Sequence, residues 1–125
     1  MSKPGKTGMT RVIDAFGYSM KGLHATWKYE AAFRQEVVLG VILMPIAFWL
    51  AQTHIELILL LASIFWVWMA ELANSSVEAV VDRTGSEKHE LSGRAKDIGS
   101  ALVFVSLILL AVVWGLVAYN RFVGL

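Results

Sequence analysis

Hydrophobic residues are concentrated in three blocks of the chain, at residues 37–51, 55–73 and 98–119. The second and third blocks reach the roughly 20 residues that an α-helix needs to cross the hydrocarbon core of a bilayer. The first block is shorter, and on length alone it could be a buried or re-entrant segment. The hydrophobic pattern therefore predicts two membrane-spanning helices and leaves the first block open.

The positions of lysine and arginine decide the number of crossings. They cluster before the first block and again between the second and third blocks, whereas the turn at residues 52–54 has none. Three crossings place both basic clusters on one side of the membrane, as the positive-inside rule requires, and two crossings would separate them. We therefore predict three transmembrane helices, with the N-terminus in the cytoplasm and the C-terminus on the outer, periplasmic side.

A helical stripe of apolar residues precedes the first block. It consists of Val12, Phe16, Met20, Leu23 and Trp27. This spacing predicts an amphipathic surface helix that lies in the membrane interface with its apolar side toward lipid. The alternative is that the stripe packs on other helices of the protein.

These patterns together predict an all-α membrane protein in a single domain, residues 1–125. A flexible tail at residues 1–9 is followed by the surface helix at residues 10–30. The later segments are transmembrane helices at residues 34–52, 55–82 and 94–120, with a cytoplasmic loop at residues 83–93.

Polar residues form a second stripe where the second apolar block ends. Residues 57–70 carry no charge, and the stripe that follows consists of Glu71, Asn74, Ser75, Glu78 and Asp82. At 3.6 residues per turn these positions share one face of a helix. The helix rises roughly 24 Å from Ile55 to Glu71 at 1.5 Å per residue. We therefore expect Glu71 just inside the membrane edge and the later carboxylates in water.

The depth of each carboxylate indicates its chemistry. Ionisable groups in membrane segments are rare and are usually functional. Glu71 is placed to take a proton from a substrate hydroxyl that arrives from the membrane. Glu78 and Glu30 are better placed to hold Mg²⁺, which is usually bound by one or two carboxylates together with phosphate oxygens.

Two structural explanations compete with this chemistry. Glu71 and Asn74 could be an interhelical hydrogen-bonding pair that only specifies packing. Glu78 and Asp82 could instead form a surface network with basic residues, for which the candidates are Arg83, Arg94 and Lys96.

Composition excludes several classes of protein. The chain is 57% hydrophobic with a mean hydropathy of +0.61, above the ~45–50% apolar content of soluble domains. It has no cysteine, so it has neither disulfides nor thiolate metal sites. Its net charge of +1 gives no reason to expect nucleic acid as a partner. The phosphate-binding loop of P-loop proteins and the motifs of soluble protein kinases are both absent from the sequence.

Four segments resemble the bacterial integral-membrane diacylglycerol kinases. They are GYSMKGL at residues 17–23, EAAFRQE at 30–36, ELANSSVEAVVDR at 71–83 and HELSGRAKDIGS at 89–100. The pattern E-x-x-N-S-x-x-E-A-V-V-D combined with E-L-S-G-R-A-K-D is highly specific, and the resemblance extends over nearly the whole chain.

The resemblance implies a homotrimer in the bacterial inner membrane, with three transmembrane helices and one surface helix per subunit. Members of this family transfer the γ-phosphoryl group of ATP to diacylglycerol and release phosphatidic acid. The family's active site is composite, because neighbouring subunits share it.

The resemblance also implies a role for each matching residue. Glu71 would be the general base, Glu30 and Glu78 would bind Mg²⁺ and ATP, and Asn74 and Asp82 would support the site. Further ATP contacts would come from Arg11, Tyr18, Glu87, Lys88, His89, Lys96 and Asp97. Besides Glu71, the lipid substrate would meet Arg11, Ser19, Trp27, Arg34, Gln35, Glu36, Ser100 and Trp114.

The sequence departs from the family pattern at Met20, where members often carry tryptophan, and at Asp14, where a basic residue is common. Neither position belongs to the carboxylate set. An undecaprenol kinase would have the same architecture with a polyprenol acceptor, and the motifs do not separate it from a diacylglycerol kinase. A small helical membrane protein without enzymatic activity is the remaining alternative.

Overall fold

The computed structural model describes residues 7–85 and 89–124, and the secondary structure of these residues is entirely helical. Four helices follow one another: α1 (Gly8–Tyr29), α2 (Ala31–Leu50), α3 (His54–Arg83) and α4 (Glu90–Phe122). The last three are long and apolar enough to cross a membrane. The structure therefore confirms the all-α class, and it contains three candidate membrane-spanning helices, the number that the sequence predicts.

A corner at Glu30 interrupts the helical backbone between α1 and α2, because this residue is extended with φ −116° and ψ 103°. The guanidinium of Arg34 donates hydrogen bonds to the carbonyl oxygens of Trp27 at 2.6 Å and Lys28 at 3.1 Å. Carbonyls in the last turn of a helix lack intrahelical donors, and a basic side chain also interacts well with the negative end of the helix dipole. Arg34 thus caps α1 and fixes the corner that carries Glu30.

Polar side chains close the other end of the bundle. Thr53 caps α3 by accepting from the Glu56 backbone N–H at 3.1 Å, and Glu56 Oε1 accepts from the Gln52 backbone N–H at 2.8 Å. This arrangement is close to a capping box. The second oxygen of Glu56 accepts from Asn120 Nδ2 at 2.8 Å, so the start of α3 is joined to the end of α4.

The buried core of the chain lies near the same end. It is an apolar cluster of Ala47, Leu50, Leu60 and Val117. Trp114 packs against this cluster, and its Nε1–H donates to the Oγ of the buried Ser63 at 3.1 Å. Helices α3 and α4 form the largest interface of the bundle.

A glycine brings α2 close to α3 in the half of the bundle that carries Glu71. A Cβ atom at Gly40 would lie 2.5 Å from Cζ2 of Trp68 and 2.7 Å from Cγ2 of Ile64. The same indole donates to the carbonyl oxygen of Glu36 at 2.8 Å. This contact fixes Glu36 beside the turn of α3 that precedes Glu71.

Several helix ends differ from the predicted boundaries. Helix α4 begins at Glu90 rather than at residue 94, because the Nδ1 atom of His89 caps it by accepting from the Leu91 backbone N–H at 3.0 Å. Helix α1 begins at Gly8, inside the predicted tail. Helix α2 covers Ala31–Leu50 rather than 34–52, since the chain is already extended at Ala51.

The apolar stripe of α1 is not covered by the rest of the chain. Val12 and Phe16 are more than half exposed, and α1 has no buried residue. Most of the surface of the three long helices is also uncovered within one chain. The location of α1 in the membrane interface and the homotrimer stay predictions.

Candidate active site

The centre of the candidate site is the Glu71 carboxylate on α3. Glu71 is only 5% exposed. It follows directly after the uncharged run at residues 57–70. Burying a carboxylate is unfavourable unless other groups compensate for the lost hydration. The helical conformation of α3 places Asn74 and Glu78 one and two turns further along the same face, as the spacing predicted.

Three other carboxylates lie within electrostatic reach of Glu71. They belong to Glu36, Glu30 and Glu78 and come from α2, from the corner between α1 and α2, and from α3 itself. Like charges repel one another strongly where water is partly excluded. The cluster is therefore a favourable position for a hard cation, which prefers oxygen ligands.

The carboxylate donors suit a magnesium ion that arrives with phosphate. Among residues 7–85 and 89–124, no group of three or more histidine, aspartate or glutamate side chains is arranged to hold a metal. Mg²⁺ usually keeps only one or two carboxylate ligands and completes its shell with water and substrate phosphates. Glu30 and Glu78 can supply such a pair, so the donor set suits Mg²⁺ bound with a polyphosphate.

The Asn74 amide lies between the carboxylate face and α4. Its Nδ2 donates to Glu78 Oε1 at 3.4 Å. Its Oδ1 is buried and has no hydrogen-bond partner in the described structure. This oxygen faces Gly99 of α4.

An ion pair connects α3 to α4 beyond Glu78. The Lys96 ammonium lies 2.8 Å from Asp82 Oδ1, and Lys96 is also within electrostatic reach of Glu78. Asp82 therefore forms a surface ion pair with Lys96, which was one of the basic partners named in the structural alternative. A lysine held in this position can also meet an anionic ligand, because an ammonium group has three donors.

An open cleft of about 600 Å³ separates α1 from α3 beside this cluster. Its wall is mostly apolar, with polar groups that include Ser19, Thr26, Glu30, Ser75 and Ser76. Clefts with an apolar lining and a few polar groups are typical of small-molecule sites. An amphipathic substrate could therefore reach Glu30 along the cleft.

The structure brings together only part of the predicted lipid-contacting set. Ser19 lines the cleft, and Glu36 lies near Glu71. Arg34 is occupied at the α1 corner by hydrogen bonds to two backbone carbonyls. Trp114 packs on the core cluster near the other end of the bundle, away from Glu71. The exposed residues of this set are Trp27, Gln35 and Ser100.

The described residues among the predicted nucleotide contacts lie on α1 and at the start of α4. Arg11 and Tyr18 lie on α1, and Lys96 and Asp97 lie in the first turns of α4. His89 caps α4 with Nδ1. Glu87 and Lys88 lie outside the described residues, and the nucleotide-binding role of this set stays a prediction.

Sequence patterns missed two features of the site. Glu36 was expected to contact lipid. The packing of Trp68 against Gly40 also places Glu36 within electrostatic reach of Glu71. Gly99 had no expected role, and its contact with Asn74 depends on how closely α3 and α4 approach. Its only signal was its place inside one of the four segments that carry the family resemblance.

Comparison with known proteins identifies the family of the chain. The family model for prokaryotic diacylglycerol kinase matches residues 17–118. A diacylglycerol kinase of Haemophilus influenzae is 52% identical over 87% of this chain and 92% of its own length. The diacylglycerol kinase of Escherichia coli K12 is 51% identical over 93% and 95%, and that of Pseudomonas aeruginosa is 46% identical over 88% and 89%. The chain therefore belongs to the prokaryotic diacylglycerol kinase family.

Proposed function

We propose that this chain is an ATP-dependent lipid kinase that converts diacylglycerol to phosphatidic acid at the cytoplasmic face of the bacterial inner membrane. The observation that carries the proposal is the buried Glu71 carboxylate, which lies among three further glutamates beside a long apolar helical run. The names of the relatives support diacylglycerol as the acceptor.

Glu71 acts as the general base in the proposed reaction. The hydroxyl oxygen of diacylglycerol forms a bond to the γ-phosphorus of ATP, and its proton passes to the Glu71 carboxylate. The bond between the γ-phosphorus and the β–γ bridging oxygen breaks, and ADP leaves with that oxygen. A base at the membrane edge suits this transfer, because the hydroxyl comes from lipid and the phosphate comes from water.

Glu30 and Glu78 hold the magnesium that accompanies ATP. When bound, Mg²⁺ supplies the positive charge that phosphoryl transfer needs on the phosphate oxygens. The two ligands come from different elements, because Glu30 is fixed by the corner after α1 and Glu78 by the length of α3. Asn74 supports Glu78 through its amide hydrogen bond.

Cationic and polar groups near the start of α4 bind the rest of the nucleotide. Lys96, supported by Asp82, contacts the phosphates as a point charge. The other residues assigned to ATP are Arg11, Tyr18, His89 and Asp97, together with Glu87 and Lys88, which lie outside the described residues. The cleft between α1 and α3 leads to Glu30. The lipid approaches the carboxylates along this cleft, and the nucleotide approaches them from another side.

The working enzyme in this proposal is a homotrimer with its N-terminus in the cytoplasm. The supporting observation is the exposed apolar surface of α1 and of the three long helices, which must be covered by lipid or by other subunits. If neighbouring subunits share one site, residues of α1 and α4, which do not contact each other within one chain, could bind the same nucleotide.

Phosphorylation of a defined lipid tests the proposal. The purified protein in detergent–lipid mixed micelles is given Mg²⁺, ATP and equal mole fractions of diacylglycerol and undecaprenol. We expect phosphatidic acid to form preferentially and in equal amount to ADP. Preferential phosphorylation of undecaprenol would contradict the choice of acceptor, and transfer to neither lipid would contradict the kinase assignment.

A further inference from the structure

Gly99 of α4 lies directly against Asn74, which belongs to the carboxylate face of α3. It is one of the few buried residues of α4. A Cβ atom added at Gly99 would collide with Asn74 Oδ1 and would lie 3.2 Å from Asn74 Cγ. An α-hydrogen of Gly99 therefore points at this amide oxygen, in the arrangement of a weak Cα–H···O contact.

The hydrogen bond to Glu78 determines which way the Asn74 amide points, and Gly99 leaves the space that this orientation needs. With Nδ2 donating to Glu78 Oε1, the amide oxygen must face α4, where it is buried without another partner. The reverse orientation would set the amide oxygen against the Glu78 carboxylate. Only a residue without a side chain leaves room for the oxygen on the α4 side.

We propose that Gly99 is a positioning residue of the kinase site, because its missing side chain allows the Asn74 amide to hold Glu78. The inference rests on the proposed function, since it concerns the metal-binding role of Glu78. In this proposal Gly99 acts indirectly, first through Asn74 and then through Glu78. Groups that orient a metal ligand typically change affinity or activity by about 10–100-fold when they are lost.

The substitution Gly99→Ala tests the proposal against a matched control on the same helix. An added Cβ at Gly115 meets nothing within 4 Å, so Gly115→Ala changes helix propensity without changing contacts. We expect Gly99→Ala to raise the Mg²⁺ concentration for half-maximal activity about 10-fold or more. We expect Gly115→Ala to keep the wild-type value.

A second glycine separates positioning from general packing damage. Gly40→Ala also forces a collision, but with Trp68 and Ile64, away from the contact between Asn74 and Glu78. We expect it to lower the melting temperature and to shift the Mg²⁺ dependence much less than Gly99→Ala does, because the contact of Trp68 positions Glu36, which is not a proposed metal ligand. An equal change in Mg²⁺ dependence from Gly40→Ala would overturn the specific role of Gly99.

A double-mutant cycle with Asn74→Ala keeps the test decisive if Gly99→Ala folds poorly. Removing the Asn74 side chain also removes the collision, because the nearest remaining atom is its Cα at 3.9 Å. We expect Gly99→Ala to add no further loss of activity and no further shift in Mg²⁺ dependence in this background. Additive effects of the two substitutions would overturn the proposal.

The outcome is separable from that of the proposed function. If the wild-type protein phosphorylates no lipid, the proposed function fails. If the wild type is active and Gly99→Ala has wild-type Mg²⁺ dependence, the proposed function stands and the positioning role of Gly99 is wrong.

Discussion

The Lys96 ammonium lies 2.8 Å from the Asp82 carboxylate and so joins the first turns of α4 to the end of α3. Both side chains remain partly exposed, and exposed ion pairs contribute little to stability. The pair lies on the same face of α3 as Glu71 and Glu78, and Glu78 also acts electrostatically on Lys96. The contact therefore holds a cation near the proposed metal ligands rather than stabilising the fold.

Loss of the Lys96 charge should weaken ATP binding. We expect Lys96→Met to raise the KM for ATP about 10-fold or more, because a hydrogen bond from a charged donor to phosphate is lost. Asp82→Asn should act in the same direction with a smaller effect. Steady-state kinetics with varied ATP measures both, and Arg121→Gln at the opposite end of α4 is the control. An unchanged KM in Lys96→Met would exclude a direct phosphate contact.

Removal of either proposed metal ligand should raise the magnesium requirement. We expect Glu30→Gln and Glu78→Gln each to increase the Mg²⁺ concentration for half-maximal activity by about 10-fold or more, since a neutral amide is a weaker ligand for a hard cation. The measurement is the initial rate over a range of Mg²⁺ at fixed ATP. Glu90→Gln, an exposed glutamate at the start of α4, should behave as the wild type. Wild-type Mg²⁺ dependence in Glu30→Gln or Glu78→Gln would remove that residue from the ligand set.

Arg34 should stabilise the end of α1. Without its hydrogen bonds to the carbonyls of Trp27 and Lys28, the last turn of α1 should open more often. We expect trypsin to cleave after Lys28 about 5-fold faster in Arg34→Ala than in the wild type. A change of about 5-fold in the opening equilibrium corresponds to the net free energy of one hydrogen bond. Cleavage after Lys21, inside α1, is the internal reference. Equal cleavage rates after Lys28 in both proteins would show that Arg34 does not cap the helix.

Trp114 should stabilise the bundle rather than contact the lipid. Its indole donates to the buried Ser63 hydroxyl, so Trp114→Phe should lower the free energy of unfolding by about 0.5–1.5 kcal/mol. SDS titration of the protein in mixed micelles gives this value, with the exposed Trp66→Phe as control. A raised KM for diacylglycerol in Trp114→Phe, with unchanged stability, would support the lipid contact that the family resemblance implies.

Much of the architecture could be predicted from the sequence, because length and hydropathy indicate two membrane-spanning helices and the positions of lysine and arginine decide for a third. The common face of Glu71, Asn74 and Glu78 followed from helical periodicity in the same way. The contacts of Gly99 and the position of Glu36 could not be predicted, because they depend on how two helices fit together. Capping by Arg34 and His89 was missed for a similar reason, since it depends on the direction of one side chain.

The turnover of a Glu71→Gln variant tests the central claim most directly. Glutamine has nearly the same shape but cannot accept the proton of the lipid hydroxyl, and general base catalysis typically contributes about 10²–10⁴-fold to a rate. We expect kcat for phosphatidic acid formation to fall by about that factor, while ATP binding and assembly match those of the wild type and of Glu90→Gln. Near-normal kcat in a correctly assembled Glu71→Gln protein would contradict the account.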